Sequence, residues 1–134
     1  MSYDKERPLG WTTREESLHL IEAGIDPESN DLYYHIDNNY GDYPDATRRC
    51  MCENLPCWSI GALEAMIPDT IKVNNVEFHF HATYNRYDRW AACYEDESYN
   101  RHLTDRAWRN QIEMYSSIVM WLLENDYIKK GGKR

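Results

Sequence analysis

The 134-residue sequence has no apolar run longer than Ile118 to Leu123. A bilayer-spanning helix needs roughly 20 such residues, so membrane insertion by a helix is not expected. The opening Met1-Ser2-Tyr3-Asp4-Lys5-Glu6 holds no apolar stretch of the kind a secretory signal requires. The 6 glycines are scattered, with Gly131-Gly132 as the close pair, so no phosphate-cradling loop is written into the chain. Basic residues are outnumbered, 15 against 23 acidic, for a net charge of −8. Phosphate contacts dominate nucleic-acid affinity and need clustered Lys and Arg, so direct nucleic-acid binding is not expected. Phenylalanine occurs only 2 times and cysteine 4 times. Four cysteines without a secretory signal read as free thiols in a reducing, cytoplasmic setting.

What the chain does have is tyrosine and tryptophan, 11 and 5 of them, within a hydrophobic content of 42%. These side chains pair a large apolar body with a polar tip, which suits half-buried strands, interfaces and ligand walls. The acidity is uneven. Residues 1–57 hold 12 acidic and 5 basic residues, and residues 58–134 hold 11 and 10. An acidic half fits a basic partner protein, or a face that keeps the chain dispersed.

Length and pattern predict one domain over 1–134, enough chain for a single core. Residues 1–11 read as an N-terminal arm and 129–134 as a tail. A first helix starts at the capping box Thr13…Glu16 and ends at Gly24 before Pro27, with Leu18, Ile21 and Ile25 as its apolar stripe. Asp31 to Asp37 reads as a strand, and Ala46 to Asn54 as a short strand or extended arm. Ser59 caps a short helix that Pro68 closes. Thr70–Val73, Asn74-Asn75 and Val76–Tyr84 spell a hairpin, and Arg89–Glu95 returns as a third strand. Val76, Phe78, Phe80, Ala82 and Tyr84 share one strand face, and Glu77, His79, His81 and Thr83 the other. A long last helix is expected from about Thr104 to Asn125. The fold class is therefore α+β: a small antiparallel sheet of three or four strands, packed by a long C-terminal helix and two shorter ones.

Three constellations bear on chemistry. Cys50, Cys52 and Cys57, with His79 and His81, offer soft or borderline metal ligands. Their C-x-C-x4-C and H-x-H spacing departs from the paired turns of structural zinc sites, so no metal is assigned. Cys57 also stands near a helix start, where a thiol's pKa falls, although no base or oxyanion site is placed beside it. The third set is Tyr84, Arg86, Arg89, Trp90, Tyr94 and Arg109, where guanidinium and aromatic rings flank a strand turn and the last helix. That pairing serves a nucleotide-like ligand or a protein interface, and it also occurs where Arg stems simply cover aromatic edges.

Four segments carry a resemblance. They are Thr13-Arg14-Glu15-Glu16-Ser17 leading to Gly24-Ile25-Asp26-Pro27; Leu55-Pro56-Cys57-Trp58-Ser59-Ile60; the aromatic hairpin; and Trp121-Leu122-Leu123-Glu124-Asn125 with Tyr127-Ile128. Together these resemble a group of small uncharacterised proteins of phages and mobile elements of gut bacteria, for which no activity is carried over. Residues 46–54 and 94–102 fit that pattern least. The resemblance implies an accessory protein that acts on a host protein, such as a defence factor, or on a host-made small molecule.

Without an assembled catalytic constellation, the expectation is a non-enzymatic binding or inhibitor module without cofactors, acting in the bacterial cytoplasm. Two further readings stand beside it. One is a homo-oligomer that sequesters a nucleotide-like molecule. The other is a metal- or thiol-dependent hydrolase using Cys57, His79 or His81.

Overall fold

The computed structural model describes residues 10–35, 44–47, 54–85, 89–98 and 101–129, with the side chains of residues 85 and 101–106 left aside. Helix α1 spans Arg14–Ala23. Its capping box closes in both directions: Glu16 N–H donates to Thr13 Oγ1 at 3.0 Å, and Thr13 N–H to Glu16 Oε1 at 2.8 Å. Gly24 ends the helix at φ 116°, and Ile25 N–H returns to Leu20 O at 3.0 Å. The buried face is Ser17 and Leu20, continued by Ile25, while Leu18 is 51% exposed. The expected stripe through Leu18 is thus rotated: the hydroxyl network described below draws Ser17 inward.

Strands β1 (Leu32–His35) and β2 (Asn54–Cys57) form an antiparallel ribbon. Pro56 lies opposite Tyr33. Tyr33 directs its own N–H and C=O away from β2, to Asp45 O at 2.7 Å and Asp45 N at 3.1 Å. Position 56 therefore needs no backbone donor, which is where a strand tolerates proline. Of the expected strand or arm at 46–54, residues 48–53 lie outside the described residues. The end of the expected N-terminal arm is pinned through Gly10 and through Thr12 just after it: Thr12 N–H donates to Trp58 O at 2.9 Å, and Ile60 N–H to Gly10 O at 3.1 Å. Residues 1–9 and 130–134 lie outside the described residues.

Ser59 caps α2 (Ile60–Glu64) through Ala62 N–H, and is itself held by the Asp31 carboxylate. A four-stranded antiparallel sheet follows in the order β3 (Thr70–Val73), β4 (Val76–Asn85), β5 (Arg89–Glu95) and β6 (Arg101–Trp108). Asn74 and Asn75 take φ values of 53° and 68°, the left-handed pair a two-residue hairpin demands. Helix α3 (Gln111–Glu124) packs against α1, α2, β5 and β6. Trp58, Leu63, Tyr94, Met114, Ile118, Val119 and Leu122 are fully buried between these elements. Burying each contributes roughly 1.5–3 kcal/mol.

The α+β architecture follows expectation, with one correction. Residues 101–108 are strand, and the last helix starts at Gln111 rather than near Thr104. Asn110 is its cap, accepting from Glu113 N–H at 2.9 Å. Trp108 mimics a helical stripe residue because it is buried beside the helix, its indole N–H donating to Ser117 Oγ at 3.1 Å. It reaches that place from the sheet, as the pairing partner of Trp90.

Candidate functional site

The alternation of β4 and β5 sends Phe78, Phe80, Ala82 and Tyr84 to the helix side of the sheet, together with Trp90, Ala92 and Tyr94. This row is covered unevenly. Toward its start, Tyr94 is fully buried, 5.4 Å from the Phe80 ring and 6.1 Å from Trp121, with its hydroxyl donating to Pro68 O at 2.8 Å. Tyr94 is a core residue and not the wall of a binding surface, which corrects its place in the predicted set. At the other end Tyr84 is 53% exposed, and Trp90 is half-buried. The two are direct cross-strand partners with ring centroids 5.1 Å apart at 57°. Such tilted pairs contribute about 0.5–1.5 kcal/mol beyond area burial and hold each other in place.

Arg89 is exposed and precedes Trp90, so strand alternation carries it to the opposite sheet face. Arg109 is exposed and follows Trp108, the residue paired with Trp90. Arg86 lies outside the described residues. The structure therefore sets Tyr84, Trp90, Arg89 and Arg109 at the same end of the sheet, with Arg89 on the face opposite the aromatic pair, and buries Tyr94 away from them.

The ligand set of cysteines and histidines divides as well. Cys50 and Cys52 lie outside the described residues. Cys57 is fully buried within β2, and Ser59 holds the cap position of the following helix. Burial, and then the nearby Asp31 carboxylate, push its thiol up to about 12. The hydrolase alternative's activated thiol at a helix start is thus not found: Cys57 is a buried core thiol with a raised pKa. His79 and His81 sit on the outer face of the other sheet, with Nε2 3.7 Å from Glu77 Oε1 and 3.5 Å from Glu95 Oε1 respectively. Among the described residues no group of three or more His, Cys, Asp or Glu side chains is placed to hold a metal ion.

Two polar clusters escaped the sequence reading. His35 is fully buried in the ribbon, its Nδ1 2.8 Å from Asn54 Oδ1 and its Nε2 2.9 Å from Asp45 Oδ1. The partners lie 10 and 19 residues away in sequence, so no spacing announces them. The second cluster ties the N-terminal segment to the ribbon: Trp58 N–H donates to Thr12 Oγ1 at 3.1 Å, and Tyr34 Oη to Thr12 O at 2.9 Å. The Arg14 guanidinium stacks over the Tyr34 ring at 4.7 Å.

No protein-family model matches the chain, and comparisons with curated proteins and with solved structures return no match either. No helix among the described residues is long and apolar enough to cross a membrane.

Proposed function

We propose that this chain is a non-enzymatic binding module whose contact surface centres on the Tyr84–Trp90 pair and whose partner is a protein with a basic face. The observation that carries the reading is the exposure of Tyr84, 53%, within a rigid cross-strand aromatic pair beyond the covered part of the sheet. Tyr, Trp and Arg dominate the energetics of protein interfaces, and Arg109 stands at the same sheet end. A net charge of −8 supports a basic partner and would speed its approach. The nucleotide reading is less favoured, because Arg89 and Trp90 occupy opposite faces of β5. A hydrolase reading loses its thiol, since Cys57 is buried with its pKa pushed up. The resemblance to phage and mobile-element proteins supports a reading in which the partner is a protein of a bacterial host cytoplasm, such as a defence factor that an accessory inhibitor would block.

The test compares the unaltered chain with Tyr84→Ala and with Tyr84→Ala/Trp90→Ala as baits in bacterial host lysate, followed by affinity measurement on the recovered partner. The expected result is a single basic protein whose affinity drops at least about 30-fold in the double variant, the 2 kcal/mol of an interface hot spot. A partner bound equally well by the double variant would remove this surface from the reading. Recovery of no partner, with native mass spectrometry showing a nucleotide released on denaturation, would replace the reading by the small-molecule one.

A further inference from the structure

Strand β4 has two neighbours along only part of its length. Its pairing with β3 runs from Thr70↔His79 to Val73↔Val76, whereas its pairing with β5 runs from His79 to Asn85. Just past β3, Phe80 N–H donates to Asp69 O at 2.9 Å. The line of β3 reaches no further because of Pro68, which has no N–H to give a ladder and whose carbonyl accepts from Tyr94 Oη at 2.8 Å. Among the described residues no strand lies beside His81–Asn85 on that side. Alternate residues of an antiparallel strand direct both backbone groups to the same side. Phe80 N–H faces the β3 side, so the N–H and C=O of Ala82 face it too, past the point where β3 ends.

The two edges on this side of the sheet are guarded differently. Strand β3 is 4 residues long and carries the exposed Lys72, and shortness and lysine both discourage a further strand. The run Phe80-His81-Ala82-Thr83-Tyr84 holds no Lys, Asp, Glu or Pro, and its aromatic and β-branched residues favour pairing. Its side chains form two rows. Phe80, Ala82 and Tyr84 make an aromatic and apolar row on the helix side, while His81 and Thr83 are exposed on the outer face. Asp69, also exposed, stands where an added strand would meet β3. A second copy of this chain would bring a further charge of −8 to that edge, whereas a basic segment is attracted to it.

We propose that the Phe80–Tyr84 edge of β4 receives an extended segment of the basic partner protein as an added strand. That segment alternates apolar and basic side chains, the apolar ones beside Phe80 and Tyr84 and the basic ones on the outer face. Main-chain bonds at Ala82 hold it, and the Tyr84–Trp90 pair selects its apolar side chains. The added strand rests on the protein-binding reading and gives that partner a form, a strand rather than a helix.

The probe is a short peptide of alternating lysine and valine. Its controls are the same peptide methylated on every amide nitrogen, and a peptide of alternating glutamate and valine. NMR follows amide exchange in the full chain. Without peptide, Ala82 N–H should exchange faster than Thr83 N–H, which faces β5 by the same alternation. The lysine peptide should slow Ala82 exchange by at least about tenfold, and neither control should. Thr83→Lys adds a charge to the edge without altering backbone bonds, and should weaken the lysine peptide by at least about tenfold. Ala82 exchange as slow as that of Thr83 in the free chain overturns the proposal, because the edge is then already covered. So does a lysine peptide that fails to bind, or a methylated one that binds equally well. A host partner that is weakened by Tyr84→Ala/Trp90→Ala but leaves Ala82 exchange unchanged would sink the added strand and keep the aromatic surface. A host partner that slows Ala82 exchange yet tolerates the double variant would keep the strand and remove the aromatic surface.

Discussion

His35 Nε2 lies 2.9 Å from Asp45 Oδ1, and together with the backbone bonds between Tyr33 and Asp45 this contact ties the segment around Asp45 to the β1–β2 ribbon. The other ring nitrogen faces Asn54 Oδ1 at 2.8 Å, so the imidazole bridges both neighbours of β1. Asp45 Oδ1 also accepts from Thr47 N–H at 2.9 Å, which shapes the chain at that point. His35→Ala removes a fully buried ring together with both of its bridges. The expected loss is about 2–4 kcal/mol, read as a lower urea midpoint with an unchanged slope. A loss below 0.5 kcal/mol, on the scale of an ordinary surface substitution, would show the bridge to be energetically idle.

The hydroxyl network at Thr12 has an assignable direction. Ser17 Oγ donates to Thr13 O at 2.7 Å, so at its 2.7 Å contact with Thr12 it is the Thr12 hydroxyl that donates. Thr12 Oγ1 in turn accepts from Trp58 N–H at 3.1 Å. Thr12→Val keeps the shape and deletes the acceptor, leaving a buried N–H unsatisfied. We expect about 1–3 kcal/mol of destabilisation by chemical unfolding, against a few tenths for Thr13→Ser, which retains the cap.

Alkali should unfold the protein from an identifiable source. The Cys57 thiol rises from 9.0 to about 12 on folding, chiefly through burial. Burial, with the nearby Glu64 carboxylate, also raises the Tyr115 hydroxyl. Both groups keep their protons in the folded chain and lose them more readily once unfolded. The contribution of Cys57 is therefore complete below pH 9 and is lost as pH climbs toward 12, by up to about 1.4 kcal/mol per pH unit, and that of Tyr115 is lost in the same direction once pH passes its ordinary value of 10.0. Cys57→Ala should flatten the Tm-versus-pH curve above pH 9 while lowering Tm at pH 7. A curve of unchanged slope would exclude the thiol as a source. In the native chain Cys57 should also resist thiol reagents until denaturant is added.

Two tyrosines on one sheet face should part company when truncated. Tyr84→Ala removes an exposed ring and should cost no more than about 1.5 kcal/mol, the worth of its pairing with Trp90. Tyr94→Ala opens a cavity in the core and orphans Pro68 O, for an expected 3–5 kcal/mol. Equal losses would mean that the sheet end at Tyr84 is covered in solution.

The parts of this fold that sequence alone determined are those whose energy is local. Thr13 and Glu16 satisfy each other across three residues, Gly24 and Asn74-Asn75 occupy left-handed backbone that other residues resist, and the period-2 pattern from Val76 to Tyr84 decides which side chains share a strand face. These signals need no distant partner, and each stands as expected. Tertiary structure decided the rest. Residues 104–108 carry apolar spacing compatible with a helix, yet pairing with β5 makes them a strand, because backbone bonds to a neighbouring strand outweigh a weak local preference. Tyr84 and Tyr94 are the same residue type on the same face, and only the extent of packing above them makes one exposed and the other core. Glu95 meets His81 through strand register, and His35 meets Asp45 and Asn54 through the ribbon, relationships that no spacing along the chain encodes.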